Sequence, residues 1–416
     1  MTRSRVSAPG ALLATPTSAR GHPVALYLTR NLATGGAERV FIDYVNNAQS
    51  LSPVVALLER RGGLLPELST GVPFEARVDR TAVPRQLEAI ASEIPGESFA
   101  RLALECLWLK DVAKQTGADV VSSFLMRAHV VALVTKIALL PDVPVVLNIH
   151  EHMSDSAPFL YPLKRDRALM RWVTRCLFPR ADRIIVVAEE LKRDLVASHG
   201  VPADLIEVVH NPLHIERIRA AGAESVAPRW MSPAGTRTIV AVGRLVYLKG
   251  YDLLLHALAK LRATRDVRLM LVGKGVERGE LEKLAAQLGV QAAVTFAGEH
   301  INPWKLIARA DVLALTSRTE AFPSVLGEAM ALGVPVLATD CSGGVRECLR
   351  DGAAGLIVAT EDVSAIARGL ERILEDAELR ATLVAAGHAR AASFDLPERL
   401  RHYESVLSRV MLSRTT

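Results

Sequence analysis

The stretch "TIVAVGRLVYLKGYDLLLHALAKLRATRDVRLMLVG", Thr238 to Gly273, carries the fold in outline. Two short apolar runs, "TIVAVG" (238–243) and "VRLMLVG" (267–273), flank a longer amphipathic pattern that opens at Gly250. The runs are continuous rather than alternating, as expected for parallel strands covered on both faces. Strand, helix and strand together read as one βαβ unit.

The same alternation extends in both directions, from residue 24 to about residue 391. Downstream the strand candidates are "AVTFAG" (293–298), "VLALTS" (312–317), "VPVLATD" (334–340) and "GLIVAT" (355–360). Upstream they are "VALYLT" (24–29), "VVALLE" (54–59), "DVVSSF" (119–124), "PVVLNIH" (144–150), "RIIVVA" (183–188) and "IEVVHN" (206–211). Between the two series, Pro212–Thr236 is rich in Pro, Gly, Ala and Ser and reads as a linker. The expected organisation is a disordered tail (1–22), a first doubly wound domain (23–213), a linker (214–236) and a second such domain (237–394). A closing helix (395–416) would pack back towards the first domain. Open α/β sheets bind ligands at the carboxyl ends of their strands, so a cleft between the domains is the expected site.

At 416 residues the chain exceeds one compact core and suits two. Half its residues are apolar and 23% are charged, which excludes a disordered chain. Cys106, Cys176, Cys341 and Cys348 form no CxxC pair, so a reduced, cytoplasmic protein is the simplest expectation. No run of eighteen apolar residues occurs, and the N-terminal patch "ALLA" is shorter than a secretory core. A net charge of +5 suits an anionic ligand or an anionic membrane surface. Nucleic acid is not expected, because aromatics are sparse and no recognition motif is present.

Three glycine-bearing turns end strands: Gly35–Gly36, Gly243–Gly250, and Gly273 with Gly275. Glycine admits a phosphate close to backbone, and a helix start offers free N–H groups, although such turns also serve conformation alone. None matches a dinucleotide fingerprint or a phosphate loop. Arg244 and Lys249 follow the strand at 238–243; a guanidinium and an ammonium suit a diphosphate, the plain alternative being two solvated cations. In "TEAFPSVLGEAMA" (319–331), Glu320 lies in a strand-end loop and Glu328 one turn into the next helix. Pro323 and Ser324 suit the first turn, with Ser324 or Thr319 able to cap it.

The ordered blocks "VGRLVYLKGYDLLLHAL", "LVGKGVERGELEKLAAQLGV", "VTFAGE", "EAFPSVLGE" and "VPVLATDCSGGVRECLRDGAAGLIV" resemble the retaining nucleotide-sugar glycosyltransferases of family 4. "GGAERV", "SFLMRAH", "NIHEH" and "ADRIIVVAEELKRDL" agree more loosely in the first half. The resemblance implies a GT-B fold, two Rossmann-like parallel-sheet domains facing across a cleft. It implies that Arg244 and Lys249 hold the diphosphate of a UDP- or GDP-sugar, with backbone N–H groups at Phe322, Ser324 and Val325. Glu320 would hold the transferred sugar, Glu328 the ribose, and His150 would stand near the sugar. Gly35 and Gly36 would face the donor across the cleft, with Gly273 also on the donor side. His129, where family members often carry asparagine, receives no role. No cofactor is implied, and the absence of any Asp-x-Asp pair argues against a bridging metal. The expected reaction moves a hexose-type sugar to a glycan or lipid-linked acceptor in polysaccharide or glycolipid synthesis. The alternatives are a sugar-nucleotide epimerase, a phosphorylase, or a non-catalytic sugar-binding protein.

Phe159–Arg183, "FLYPLKRDRALMRWVTRCLFPRADR", reads as one basic amphipathic helix. Lys164, Arg167, Arg171 and Arg175 share one face; Leu169, Trp172, Val173, Cys176 and Leu177 line much of the other. Such a helix suits the anionic inner face of a membrane as well as it suits packing on a sheet, and it points to a peripheral enzyme.

Overall fold

The computed structural model describes residues 21–77, 99–160, 163–227 and 235–413. Residues 1–20 of the expected tail and 228–234 of the expected linker therefore lie outside the described residues.

The first sheet holds β1 (Val24–Thr29), β2 (Ser52–Leu57), β3 (Phe74–Ala76), β4 (Val120–Phe124), β5 (Val145–Ile149), β6 (Arg183–Val186) and β7 (Ile206–Val208). Its order is β3-β2-β1-β4-β5-β6-β7, and every pairing is parallel. The second holds β8 (Arg237–Val242), β9 (Val267–Val272), β10 (Val294–Gly298), β11 (Val312–Leu315), β12 (Val336–Thr339) and β13 (Leu356–Val358). Its order is β10-β9-β8-β11-β12-β13, again all parallel. Strands β1, β4, β5, β11 and β12 are buried along their whole length, which is why they read as unbroken apolar runs. The edge strands β3, β10 and β13 are half-buried throughout, and β3 includes Glu75. It gives no apolar run and was not expected.

Each sheet reverses its winding once, between β1 and β4 and between β8 and β11. Chains leaving neighbouring strands there turn to opposite faces and open a crevice. Gly35 and Gly36 follow β1; Arg244 and Lys249 follow β8; Glu320 follows β11.

Three expectations need correction. The linker is not irregular throughout, because Ile215–Ala223 is a helix. His214 caps it by accepting from the Arg217 N–H, Ile215 and Ile218 are buried, and Arg309 and Asn302 of the second domain bond its last carbonyls. Alanine and glycine there serve close packing, not looseness. The basic stretch is not one helix either: it comprises Met153–Leu160, Lys164–Leu177 and a 3-10 turn, Phe178–Arg180, before β6. Its residues 161 and 162 lie outside the described residues. Finally, neither Ser324 nor Thr319 caps the helix Ser324–Ala331; Pro323 stands at the cap position, with no side-chain bond.

The helix Leu396–Leu412 returns to the first domain. Tyr403 stacks on Tyr44 at 3.9 Å and shares a 2.7 Å hydrogen bond with Ser122. The Glu404 carboxylate accepts from the backbone N–H groups of Gln49 and Ser50. Where the chain crosses over and back, the Leu213 N–H donates to the Phe394 carbonyl and the Leu213 carbonyl accepts from the Leu396 N–H.

Candidate functional site

The loops after β8 and β11 meet because glycine allows it. Gly250 has φ +60°, and a Cβ there would lie 2.0 Å from the Thr316 carbonyl oxygen. Gly273 has φ +147°, and a Cβ would lie 1.9 Å from the Gly243 oxygen. Gly273 thus has a packing reason to be glycine, independent of any ligand.

This close approach brings Lys249 to Glu320. The Lys249 Nζ donates to Glu320 Oε1 at 2.5 Å, and the Ser317 hydroxyl donates to the same oxygen at 2.6 Å. Both side chains are largely shielded from water, where such a bond is strong. Behind them burial pushes the Cys341 thiol up to about 12, Glu320 adding to the effect. Immediately beyond lies the uncapped start of Ser324–Ala331, where Ser324 and Val325 occupy the first turn. A helix start without a capping side chain keeps N–H groups and the positive dipole end available to an anion. The Phe322 ring is buried against Phe394 and His210, so of Phe322 the backbone, not the ring, faces this region.

Arg244 is exposed and turned towards the first domain. Burial raises the pKa of both Glu38 and Glu151, and in each case the Arg244 charge opposes the rise. Glu38 sits in the first turn of Gly36–Asn47, whose cap position is Gly35. A Cβ on Gly36 would meet nothing within 4 Å, so the space before it is open. Thr34, one residue earlier, donates to Glu299 of the second domain at 2.5 Å.

His150 immediately follows β5 and stacks on Phe124. Burial drives its pKa down to about 4, with Asn211 opposing, so the ring is neutral around pH 7. Its Nδ1 has no hydrogen-bond partner among the described residues. Asn211 in turn donates to the Phe322 carbonyl at 3.2 Å and to Ser324 Oγ at 3.3 Å, tying the first domain to the helix start. His129 is a core residue bonded to Ser123 at 2.9 Å.

Glu328 lines a cavity between the domains together with Gly36, Arg39, Asp43, Arg217 and Trp304. Burial raises the Glu328 pKa against the pull of Trp304 and Arg39. Asp43 is lifted to about 7, chiefly by burial, with Arg39 and Arg217 opposing and Glu328 and Glu67 adding. Both arginines are also bonded to Glu67. The structure thus gathers Lys249, Glu320 and the helix start at one place, and Gly36, Ser324 and Glu328 around the adjoining cavity. Arg39, Asp43, Arg217, Trp304 and Asn211 were not singled out from sequence. Arg39 alone had a signal, standing inside "GGAERV" one helical turn after Gly35. No group of three or more His, Cys, Asp or Glu side chains among the described residues is placed to hold a metal ion.

A family model described as "Glycosyltransferase Family 4" matches residues 34–217, and one described as "Glycosyl transferases group 1" matches residues 226–390. The N-acetylgalactosamine-N,N'-diacetylbacillosaminyl-diphospho-undecaprenol 4-alpha-N-acetylgalactosaminyltransferase of Campylobacter jejuni is 28% identical over 368 residues, 88% of this chain and 94% of that protein. The lipopolysaccharide core biosynthesis glycosyltransferase LpsE of Rhizobium meliloti is 38% identical over 157 residues, 38% of this chain and 45% of that protein. Apart from the Campylobacter enzyme, the chain spans about half the length of the curated relatives it matches. Among solved structures, Anabaena HepE in complex with UDP and glucose superposes with a TM-score of 0.76 at 23% identity, covering 93% of this chain and 100% of that one. Likeness at that identity is one of fold: two parallel-sheet domains face each other in the GT-B arrangement.

Proposed function

The chain belongs to glycosyltransferase family 4, and on that premise we propose that it transfers a hexose-type sugar from a UDP- or GDP-sugar, with retention of configuration, to a glycan or lipid-linked glycan acceptor. The observation that carries this reading is the Lys249–Glu320 pair at an uncapped helix start, in the crevice where the second sheet reverses. A cation, a carboxylate and free amides side by side match what a sugar–diphosphate presents. Breaking that bond builds positive charge on the sugar and negative charge on the departing phosphate. Lys249, Arg244 and the amides around Phe322, Ser324 and Val325 stabilise the phosphate, an electrostatic contribution worth most in a site shielded from water. Glu320 and His150 orient the sugar through its hydroxyls, and neutral His150 can donate or accept there. Glu328 takes the ribose. No protein nucleophile is assigned, and the cations replace a metal. The diphospho-undecaprenol substrate named for the Campylobacter relative and the lipopolysaccharide core biosynthesis named for the Rhizobium one favour an envelope glycan as acceptor.

Incubation with a panel of UDP- and GDP-sugars and undecaprenyl-linked or free glycans tests this. Acceptor-dependent release of one nucleoside diphosphate, persisting in EDTA, is expected. Release without sugar transfer would favour a hydrolytic reaction, and conversion to an epimeric nucleotide sugar without net release an epimerase; nucleotide-sugar binding with neither would favour a binding protein.

A further inference from the structure

The buried face of the helix Glu189–His199 consists of Leu191, Leu195, His199 and one carboxylate, Asp194, which is 8% exposed. A buried charge is costly unless hydrogen bonds replace its water, so its partners matter. They lie in one short stretch just after His150. Asp194 Oδ1 accepts from the Ser154 hydroxyl at 2.5 Å, and Oδ2 accepts from the Ser154 N–H at 3.1 Å. The His152 Nδ1 stands 3.5 Å from Oδ2 and caps the same turn, accepting from the Asp155 N–H at 3.2 Å. The His199 Nε2, 3.4 Å from the Ser154 hydroxyl oxygen, closes the network.

His150 stands four residues before Ser154, and the direction of its ring depends on the backbone that carries it. Its stack on Phe124, with centroids 5.5 Å apart, sets the plane of the ring but not its place along the cleft. On one side the backbone is fixed by β5, which pairs with β6 as far as Ile149 and Val186. On the other side it is tied down at Ser154, by Asp194. The helix that supplies Asp194 is in turn held by the second domain. Its Glu189 N–H donates to Glu347 at 2.9 Å, and its Glu190 carboxylate accepts from the Gly344 N–H at 3.2 Å, both partners lying in the helix Gly343–Cys348. One bonded path therefore runs from the second domain through Asp194 to the loop of His150.

We propose that Asp194 is a positioning residue for transfer, fixing the loop of His150 to a helix that bears on the second domain. It touches no substrate and acts through His150, so the inference rests on the reading of His150 given above. A sugar held by the second domain must meet a ring carried by the first, and a misplacement of about 1 Å in such a geometry can cost 100-fold in rate. An apolar side chain at position 194 would fill the space without directing the loop. Two carboxylate oxygens, each taking a separate donor of Ser154, fix both its backbone and its side chain.

Two measurements on the full chain test this. The first uses histidine-selective 15N NMR without any donor, the His150 signal being the one lost in His150→Ala. The parent signal should titrate near 4. In Asp194→Ala a freed loop admits water to the ring, so the signal should titrate about 1 pH unit or more higher; loss of the Asp194 charge alone would move it the other way. Asp194→Asn, which keeps an acceptor for the Ser154 N–H, should titrate close to the parent. A His150 signal that stays put in folded Asp194→Ala overturns the proposal. The second measurement is a double-mutant cycle on acceptor-dependent release of nucleoside diphosphate. Asp194→Ala should lower kcat about tenfold with donor KM unchanged, but less than about twofold when His150 is already alanine. Equal losses in both backgrounds make Asp194 a support of the fold alone and overturn the proposal. If Asp194→Ala does not fold, Ser154→Ala, which removes one of the two bonds, carries both measurements with smaller effects of the same sign. Parental turnover in His150→Ala overturns the role of His150 and the positioning with it; the NMR titration, which would still move, tells that outcome from a failed anchor.

Discussion

At the scale of single side chains, Lys249, Glu320 and Arg244 divide the labour by where they stand. Glu320 is held by two donors, whereas Arg244 is exposed and forms no ion pair among the described residues. Glu320→Ala and Arg244→Ala should each cost about 100-fold or more in turnover with the fold intact, since neither packs in a core. Near-parental turnover in both folded variants would remove the donor site from this crevice. Glu328→Ala should instead raise the donor KM more than it lowers kcat, because it lies in the adjoining cavity away from the reacting bond. His150→Ala should slow transfer while calorimetry finds the same affinity for the nucleoside diphosphate. With a pKa near 4 in the fold, His150 carries no charge across pH 5 to 8, so the variant should keep the shape of the parental pH–rate curve in that range. A change of shape there would mean that the ring titrates during turnover.

Among the elements, the helix Lys164–Leu177 is only lightly embedded in the first domain. Only Thr174 is buried; Met170, Val173 and Leu177 turn partly inward. Leu169 and Trp172 are instead 56% and 60% exposed, beside exposed Lys164, Arg171 and Arg175. The sequence placed all five apolar residues on one face; the fold splits them and leaves an apolar and a basic strip side by side in solvent. That pairing suits the headgroup boundary of an anionic bilayer, each basic residue adding about 1 kcal/mol. Cosedimentation with anionic liposomes should weaken with salt and with joint replacement of Lys164, Arg167, Arg171 and Arg175 by glutamine. Trp172→Ser should weaken it as well; retention in the supernatant at low salt would rule the surface out. Among the described residues no helix is long and apolar enough to cross a membrane.

Legibility followed the same scale. Strands such as β1 and β9 were readable within a residue or so because burial on both faces forces unbroken apolar runs. The edge strand β3 was not, because its three half-buried residues make no apolar run; nor was the helix Ile215–Ala223, whose partners Asn302 and Arg309 lie far away in sequence. Arg244, Lys249 and Glu320 stood out in the sequence because each follows a strand within its own domain. Arg39, Asp43, Arg217 and Trp304 come from four separate segments and acquire a common setting only when the domains face each other.

For the molecule as a whole, that interface carries a pH dependence. Asp43 keeps its proton in the fold up to about pH 7, whereas in the unfolded chain it ionises near 4. Between those values the folded state binds more protons, so this group makes the protein less stable as pH rises, a penalty complete above pH 7. Asp43→Asn should therefore stabilise the fold more at pH 8 than at pH 5, by a difference on the order of a few kcal/mol at most in unfolding free energy. An equal shift at both pH values would show that Asp43 is ionised throughout.

The return of Leu396–Leu412 to the first sheet also sets an order of events during synthesis. Tyr27 and Tyr44, near the beginning of the chain, are sealed by Tyr403, near its end. A nascent chain that has already emitted the whole second domain still lacks the lid of its first. The usual vectorial rule, first-made domain finished first, is inverted here. The later-made domain can complete its core while the earlier one waits, and a ribosome stalled before residue 396 holds a polypeptide whose aromatic seam lies open to the quality-control machinery.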